Sequence, residues 1–383
     1  MKIAHLALSC FYIDNGSYQE NELVAQHVKD GHDVIVIAST ENHDSNGKLI
    51  YVEPTTYKGS DGAIVHRIEY VSYIPLSLAR KLRIHRNVFN LLEEFMPDSI
   101  LFHGACGWEL ITVAKYKKKY PNVKFYIDSH EDWNNSARNF ISRAILHKLY
   151  YKNILKYVFP YAEKILCVSK ETMDFVEDVY GIKRSHLEFF PLGGHPLPDA
   201  IYSEKRNSTR NKLNIKDDEI LFVQSGKQTK RKKLLESLEA FQSVKDGKFV
   251  FIIVGLLADE IKTKAEKLIN TDDRIKFLGW KTADELVDIL CAADVYVQPG
   301  TQSVTMQNSL CNRCAIMIDD VPSHKIYFQN NGWLINSKQP MQSIFYEISE
   351  NKIILEKMKK KSFSLAKKML DYKILSKRIL ANN

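Results

Sequence analysis

Three features of the chain point to an α/β protein built as two doubly wound domains facing a central cleft. Its 383 residues suit two domains at roughly 100–200 residues each. Short β-branched apolar runs alternate with helical patterns along its length, the texture of parallel sheets with crossover helices. The alternation stops at Pro191-Leu192-Gly193-Gly194-His195-Pro196-Leu197-Pro198 and then restarts, because proline removes backbone donors and glycine loosens the chain. The expected division is 1–195, 196–350 and a basic helical segment, 351–383, that crosses back to the first domain.

In the first domain the apolar runs predict strands at Lys2–Ser9, Asp33–Ala38, Ile64–Glu69, Ser99–Phe102, Lys124–Ile127, Lys164–Val168 and Leu187–Phe190. A helix is expected from Glu20 to Lys29, closed by Gly31. The second domain predicts strands at Ile220–Gln224, Phe249–Val254, Ile275–Phe277, Val295–Gln298 and Ala315–Ile318. Helices fall between them at about Lys233–Val244, Ala258–Ile269, Ala283–Ala292 and Val304–Asn312. Sheets of this kind bind ligands beyond the carboxyl ends of their strands.

Composition narrows the function classes. With 45% hydrophobic and 26% charged residues, the chain is neither disordered nor a disulfide scaffold. Its net charge of +8 is local: residues 351–383 carry ten Lys/Arg against Glu356 and Asp371, leaving 44 basic and 44 acidic residues elsewhere. A nucleic-acid binder spreads its positive field over a domain face, so no nucleic-acid partner is expected. The longest apolar run, Phe249–Ala258, falls short of the ~20 residues of a bilayer helix. The N-terminus reads as a first strand, not a signal peptide. Six cysteines in mostly apolar surroundings suit reduced thiols in a cytoplasmic protein. Cys311 and Cys314 form a lone C-x-x-C without the second pair that a zinc site needs, and no metal is expected.

The strongest local signal is Phe222-Val-Gln-Ser-Gly-Lys-Gln-Thr-Lys-Arg-Lys-Lys233. A strand ends in Ser225-Gly226, a loop carries Lys227, Lys230, Arg231, Lys232 and Lys233, and an amphipathic helix follows at once. Cations at a strand-to-helix junction suit a phosphate-bearing ligand, because backbone donors and the helix dipole act in the same direction.

With this signal the chain resembles the retaining nucleotide-sugar glycosyltransferases of family four, which have two Rossmann-like domains (the GT-B architecture). Ser-Gly-Lys227 with Lys232-Lys233 resembles their Gly-Arg…Lys-Gly signature. Val254-Gly255 and Leu278-Gly279-Trp280 resemble their strand-end glycines, and Ala293-Asp294-Val-Tyr-Val-Gln-Pro299 their Ala-Asp-Val strand. Asn15-Gly16-Ser17, with Gly31-His32-Asp33-Val34, resembles their glycine loop and Gly-His-Glu-Val. The likeness covers residues 1 to 337.

The resemblance implies the roles. Lys227 and Lys232 match the basic pair that grips the donor diphosphate. His130, in Tyr126-Ile-Asp-Ser-His130-Glu131-Asp132, matches a histidine that contacts donor sugar or acceptor, and Glu131 and Asp132 are expected on the acceptor side. Donor contacts fall to Gly16, Gly226, Trp280, Lys281, Thr301, Gln302, Ser303 and Asn308. The family needs no metal or other cofactor, in keeping with a sequence that has no Asp-x-Asp. One departure stands out: Gly300 and Asn308 occupy the positions of two family glutamates, which leaves Asn308, Gln302 or Gln307 and the amides of Thr301, Gln302 and Ser303 to face the sugar. His103 reads as structural and His195 as a hinge residue.

Two stretches, Ile74–Arg86 and Arg138–Lys156, mix basic and apolar residues, as in peripheral attachment to an anionic membrane. The whole implies a metal-independent glycosyltransferase, of hexosyltransferase type. It would move a sugar from a UDP-linked donor to a glycan or lipid-linked acceptor in bacterial surface-polysaccharide synthesis, such as capsule or lipopolysaccharide, in the cytoplasm or at the inner face of the membrane. The alternatives are a nucleotide-sugar epimerase of the same fold and a catalytically silent sugar-nucleotide-binding subunit.

Overall fold

The computed structural model describes residues 1–44, 48–133, 135–137, 139–140, 142–301 and 303–380. It comprises two compact units, Met1–Pro191 with Tyr372–Asn383, and Leu192–Asp371. The stretch 351–371 therefore lies with the second unit, and the returning segment is shorter than the sequence suggests.

The first unit is built on β1 (Lys2–Ala7), β2 (Asp33–Ser39), β3 (Glu41–His43), β4 (Leu49–Tyr51), β5 (Thr55–Lys58), β6 (Ile64–Ile68), β7 (Ser99–His103), β8 (Lys124–Ser129), β9 (Lys164–Cys167) and β10 (Leu187–Phe189). Eight of them form one sheet in the order β10-β9-β8-β7-β1-β2-β6-β5, and β3 and β4 pair separately. All seven expected strands are present and parallel. The unexpected β5 lies antiparallel on β6 at the edge. An edge strand with solvent on one side needs no apolar run, so Thr-Thr-Tyr-Lys shows none. From β1 the chain winds outward through β2 and β6, then returns to β7. This puts the reversal of strand order, where open sheets of this class bind ligands, between β1 and β7.

Apolar side chains fill both faces of that sheet. Ile100, Phe102, Phe125 and Ile127 pack under Leu110, Val113 and Leu155. The C-terminal helix Tyr372–Arg378 sets Tyr372 and Leu375 against Leu23, Leu101, Tyr126 and Leu166. Its Arg378 pairs with Glu188, so this cation is consumed inside the unit.

The second unit holds β11 (Ile220–Gln228), β12 (Phe249–Leu257), β13 (Ile275–Phe277), β14 (Val295–Gln298), β15 (Ala315–Asp319) and β16 (Gly332–Ile335). They form an all-parallel sheet in the order β13-β12-β11-β14-β15-β16, the dinucleotide-fold order with its reversal between β11 and β14. Phe222, Phe241, Phe249 and Phe345 interlock over one face, largely edge to face. Asp294, of the Ala-Asp-Val motif, is buried. It accepts from the Leu221 amide and from Arg206, Arg210 and Lys359. Burial opposes its charge, but Arg206 and Lys359 hold its carboxyl below the usual range. That cluster ties helices Asp199–Lys212 and Ile354–Met369 to the sheet, and Lys359 is a structural cation, not a surface one.

Candidate functional site

At the carboxyl edge of the second sheet the three strand-end glycines of the sequence motifs stand side by side. Gly226 pairs with Gly255 in register, and the Gly255 amide donates to the Gly279 carbonyl at 2.8 Å. All three have positive φ, at +114°, +120° and +68°. A Cβ on Gly255 would stand 2.1 Å from the Gly226 oxygen, so only glycine lets β11 and β12 run together at this point.

The basic segment differs from the expected loop. β11 continues through Gln228, so Lys227 is an exposed strand residue paired in register with Leu256. A 3₁₀ turn, Lys230–Lys232, follows, Lys233 adopts φ +53°, and the helix begins only at Leu234. The Lys230 amide donates to Glu260, and the Lys233 ammonium pairs with Asp319 at 2.8 Å. Lys232 turns inward and donates to the Thr301 carbonyl at 2.8 Å. Burial, reinforced by neighbouring Arg231, lowers its pKa to about 8.

The loop after β14 is clamped onto this turn. The Thr301 amide donates to the Arg231 carbonyl at 3.2 Å, so it is not available to a sugar as expected. Gly300 sits so close that a Cβ would lie 2.0 Å from the Arg231 oxygen. The position matched to a family glutamate is thus one where no side chain fits. Asn308 lies in helix Val304–Cys311, its side-chain oxygen against Gly194. Ser303 precedes that helix and donates to Gln298 at 2.7 Å. Gln302 lies outside the described residues. Beneath the loop, Ser225 and Tyr296 share a 3.0 Å hydrogen bond. Gln224 Oε1 and Gln298 Nε2 are buried without a partner, although both residues make other hydrogen bonds. No motif in the sequence singled out these two glutamines. Trp280, after β13, is 67% exposed, and Lys281 pairs loosely with Glu285 at 3.5 Å.

In the first unit, β7 and β8 end in a polar cluster. Asp128, fully buried, accepts from the Gly104 amide at 2.9 Å and faces His103 Nδ1 at 2.5 Å. His130 Nε2 stands 3.6 Å from its other side, with the ring 36% exposed. Burial alone would lower the His130 pKa, but the Asp128 carboxylate overrides it and lifts it to about 9. Burial likewise opposes the Asp128 charge, yet His103 and His130 hold its carboxyl well below the usual range. Glu131 is not an acceptor-facing group: its carboxylate is taken up by the Ala105 amide, the Ser129 hydroxyl and the His130 amide. Asp132 receives the Asn135 amide in a turn. Gly16 closes a turn onto Ile13 and lines a cavity of about 580 Å³ with Asp14, Asn21, Tyr57 and Asp61. Among the described residues, no His/Cys/Asp/Glu group is arranged to hold a metal ion, and no helix is long and apolar enough to cross a membrane.

The two basic-apolar stretches meet on the first unit, where Tyr150 and Tyr151 donate to the Leu82 and Lys81 carbonyls. They flank an apolar groove of about 560 Å³ lined by Leu82, Trp108, Ile111, Ile145, Leu149 and Tyr157 among others. Ile145 and Leu149 are 58% and 60% exposed. Arg138, where the second stretch begins, lies outside the described residues.

Residues 21–193 match the family described as Glycosyltransferase Family 4, and residues 205–361 the family described as Glycosyl transferases group 1. No curated sequence matches the chain. Among solved structures, it is similar to sucrose-phosphate synthase of Thermosynechococcus elongatus (TM-score 0.66, 13% identity, 99% of this chain and 97% of that one). It is also similar to Anabaena HepE in complex with UDP (0.66, 13%, 99% and 98%) and to WaaG, a glycosyltransferase involved in lipopolysaccharide biosynthesis (0.63, 14%, 99% and 100%). At such identities these likenesses establish the fold, two Rossmann-like domains of the GT-B type.

Proposed function

We propose that this chain, a glycosyltransferase whose first unit matches Glycosyltransferase Family 4 and whose second matches Glycosyl transferases group 1, moves a sugar from a UDP-linked donor to a glycan or lipid-linked acceptor, with retention and without a metal. The observation that carries the reading is the inward-turned Lys232, seated at the strand-order reversal of a dinucleotide-type sheet. Its ammonium is partly desolvated, so a diphosphate regains for it the solvation it lacks. Lys227, exposed near the end of β11 just before the same turn, supplies a second cation. UDP is the nucleotide of choice because similar structures were solved with UDP and with UDP-glucose.

The chemistry then follows front-side displacement. The acceptor hydroxyl oxygen bonds to the anomeric carbon on the face from which the diphosphate departs. The bond from that carbon to the phosphate oxygen breaks, and a phosphate oxygen takes the hydroxyl proton. Lys227 and Lys232 offset the charge developing on the leaving group. Trp280, exposed beside the glycine edge, offers a face on which a base can stack. His130, cationic at neutral pH beside Asp128, serves the sugar side. Gly300 has no room for a carboxylate, so recognition of the donor sugar falls to Asn308 and the Ser303–Gln298 pair.

The apolar groove on the first unit is proposed to seat on an anionic bilayer surface. Its longer helical wall, Ser142–Val158, carries Arg143, Lys148, Lys152 and Lys156 and no acidic residue, a charge pattern complementary to acidic headgroups.

Incubating the protein with a panel of radiolabelled nucleotide sugars, with and without a lipid extract, tests the reading. Transfer to lipid or glycan, or slow donor hydrolysis, supports it. Interconversion of the sugar points to an epimerase, and binding without turnover to a silent subunit.

A further inference from the structure

Three histidines outside the donor chemistry lie in line through the interior of the first unit. His27 Nε2 is 3.0 Å from the Ser376 carbonyl oxygen, and His27 Nδ1 is 3.0 Å from His5 Nε2. His5 Nδ1 is 3.0 Å from His103 Nε2, and His103 Nδ1 is 2.5 Å from Asp128 Oδ2. All three rings are buried. Each member comes from a different element: the C-terminal helix, helix Gln19–Lys29, β1, β7 and β8.

The protons of this line can be counted. A carbonyl only accepts, so His27 Nε2 carries a hydrogen and, in a neutral ring, Nδ1 must accept from His5. The same logic passes from ring to ring. Four hydrogen bonds need four protons, and three neutral imidazoles bring three. The fourth is either a second N–H on one ring beside an Asp128 carboxylate or a proton on Asp128 itself. In both cases the three rings and the carboxyl together are neutral. Burial, with the neighbouring histidines, keeps His5 well below its ordinary value and lowers His27 to about 4. Asp128 accepts from the Gly104 amide at 2.9 Å and stands 3.6 Å from His130, contacts that favour the ionised carboxylate, so the fourth proton is placed in the last bond, on His103 Nδ1 facing Asp128.

We propose that His5, His27 and His103 are positioning residues: joined to Asp128 they form a wire with one surplus proton, and that proton sets the charge Asp128 presents to His130. While the proton is present, Asp128 is shared between two cations. If it leaves, one bond of the wire becomes two facing lone pairs and His130 alone balances the carboxylate.

The surrounding charges are few. His130 faces Asp128, Glu131 of its own segment and Glu20 of helix Gln19–Lys29. Asp128 faces His103 and His130, with Cys10 and Cys167 nearby. His5 faces His27, His103 and Asp128, and His27 also faces Asp30 and His32.

The far end of the wire is the place to test it. His27→Leu leaves two rings, two bonds and two protons, so the surplus proton is lost and His130 titrates higher. His27→Gln keeps a donor for the Ser376 carbonyl and an acceptor for His5, and so keeps all four bonds. The role assigned to the wire rests on His130 serving the sugar side; the proton count does not.

The measurement is ¹⁵N-histidine NMR on the full chain, followed through a pH series. In the natural sequence, His103 is expected to show two ring N–H groups at neutral pH, and His5 and His27 one each. In His27→Leu, His103 shows one and the His130 midpoint rises by about half a pH unit or more, while His27→Gln matches the natural protein on both. A single ring N–H on His103 in the natural protein overturns the proposal, and so does a His130 midpoint that His27→Leu leaves in place. If the leucine variant does not fold, the N–H count in the natural protein still decides. Undiminished kcat in His130→Ala, with the N–H count intact, removes the sugar-side role of His130 and leaves the wire.

Discussion

Replacing Lys232 by alanine removes the one cation of the basic turn that points inward to the Thr301 carbonyl. A charge-assisted contact to phosphate contributes about 1.5–3 kcal/mol, so Lys232→Ala weakens UDP binding about 10- to 150-fold. The side chain is only partly buried, and solvent screening puts the effect toward the lower end. Protonation gives an independent check. With its pKa lowered to about 8 by burial and Arg231, Lys232 is charged at pH 7 and mostly neutral at pH 9 in the free site. A bound diphosphate restores the charge. Binding by the natural protein therefore falls about tenfold from pH 7 to pH 9, or about 1.4 kcal/mol, whereas the alanine variant loses this dependence. Calorimetric titration with UDP at both pH values measures the two effects. An unchanged affinity in Lys232→Ala at pH 7, or the same alkaline fall in both proteins, refutes the diphosphate assignment.

Gly300→Ala forces a methyl group onto the Arg231 carbonyl and shifts the basic turn. A loss of about 1–3 kcal/mol in stability with weaker UDP binding is expected from thermal melts and titration, and a variant matching the natural protein in both means that the clamp is loose. Asp128→Asn strands the buried wire without its carboxylate and destabilises by roughly 3–5 kcal/mol. Asp128 is held below its ordinary pKa, so its contribution is present above about pH 4 and fades as pH falls. His130 is held up at about 9, so its contribution is complete below about pH 6.5 and fades through pH 9. The stability gap in urea unfolding should thus be widest between those limits and narrow toward pH 9, and a gap that does not change with pH contradicts the pairing. Leu149→Glu places an acid on the exposed rim of the apolar groove and should reduce sedimentation with anionic vesicles several-fold without changing UDP affinity; vesicle binding equal to that of the natural protein counts against this face.

Most of both sheets was legible in the chain. Most parallel strands show as runs of apolar residues, because a strand buried on both faces has no solvent side to mark; β16, Gly-Trp-Leu-Ile, is one too, although none of the predicted strands falls there. The short strands β3, β4 and β5 escaped because edge positions tolerate polar residues such as Glu41, Asn42 and Lys58. The strand-end glycines at 226, 255 and 279 and the cations at 227–233 also stood out, since a positive φ and a local charge density are properties of a few consecutive residues.

What those residues do was decided by partners far away in sequence. Of the five cations between 227 and 233, Lys233 is engaged by Asp319 and Lys232 by Thr301, and nothing within the segment distinguishes them. Gly300 looks like a lost carboxylate in the sequence, yet it packs against a turn some seventy residues earlier. Glu131 looks available, yet its carboxylate is taken up by the Ala105 amide, 26 residues earlier, and by Ser129 and His130 beside it. His5, His27 and His103 are far apart in the sequence, and only β1, helix Gln19–Lys29 and β7 bring their ring nitrogens to 3.0 Å from one another. Secondary structure follows from periodicity along the chain, which is local. The pairing of buried polar groups is not, because each must find its hydrogen-bond partner wherever the fold delivers one. The sequence by itself therefore determined the two doubly wound sheets and the basic turn, and the tertiary structure alone decided which lysine points inward, why Gly300 is glycine, and how Asp128 is paired.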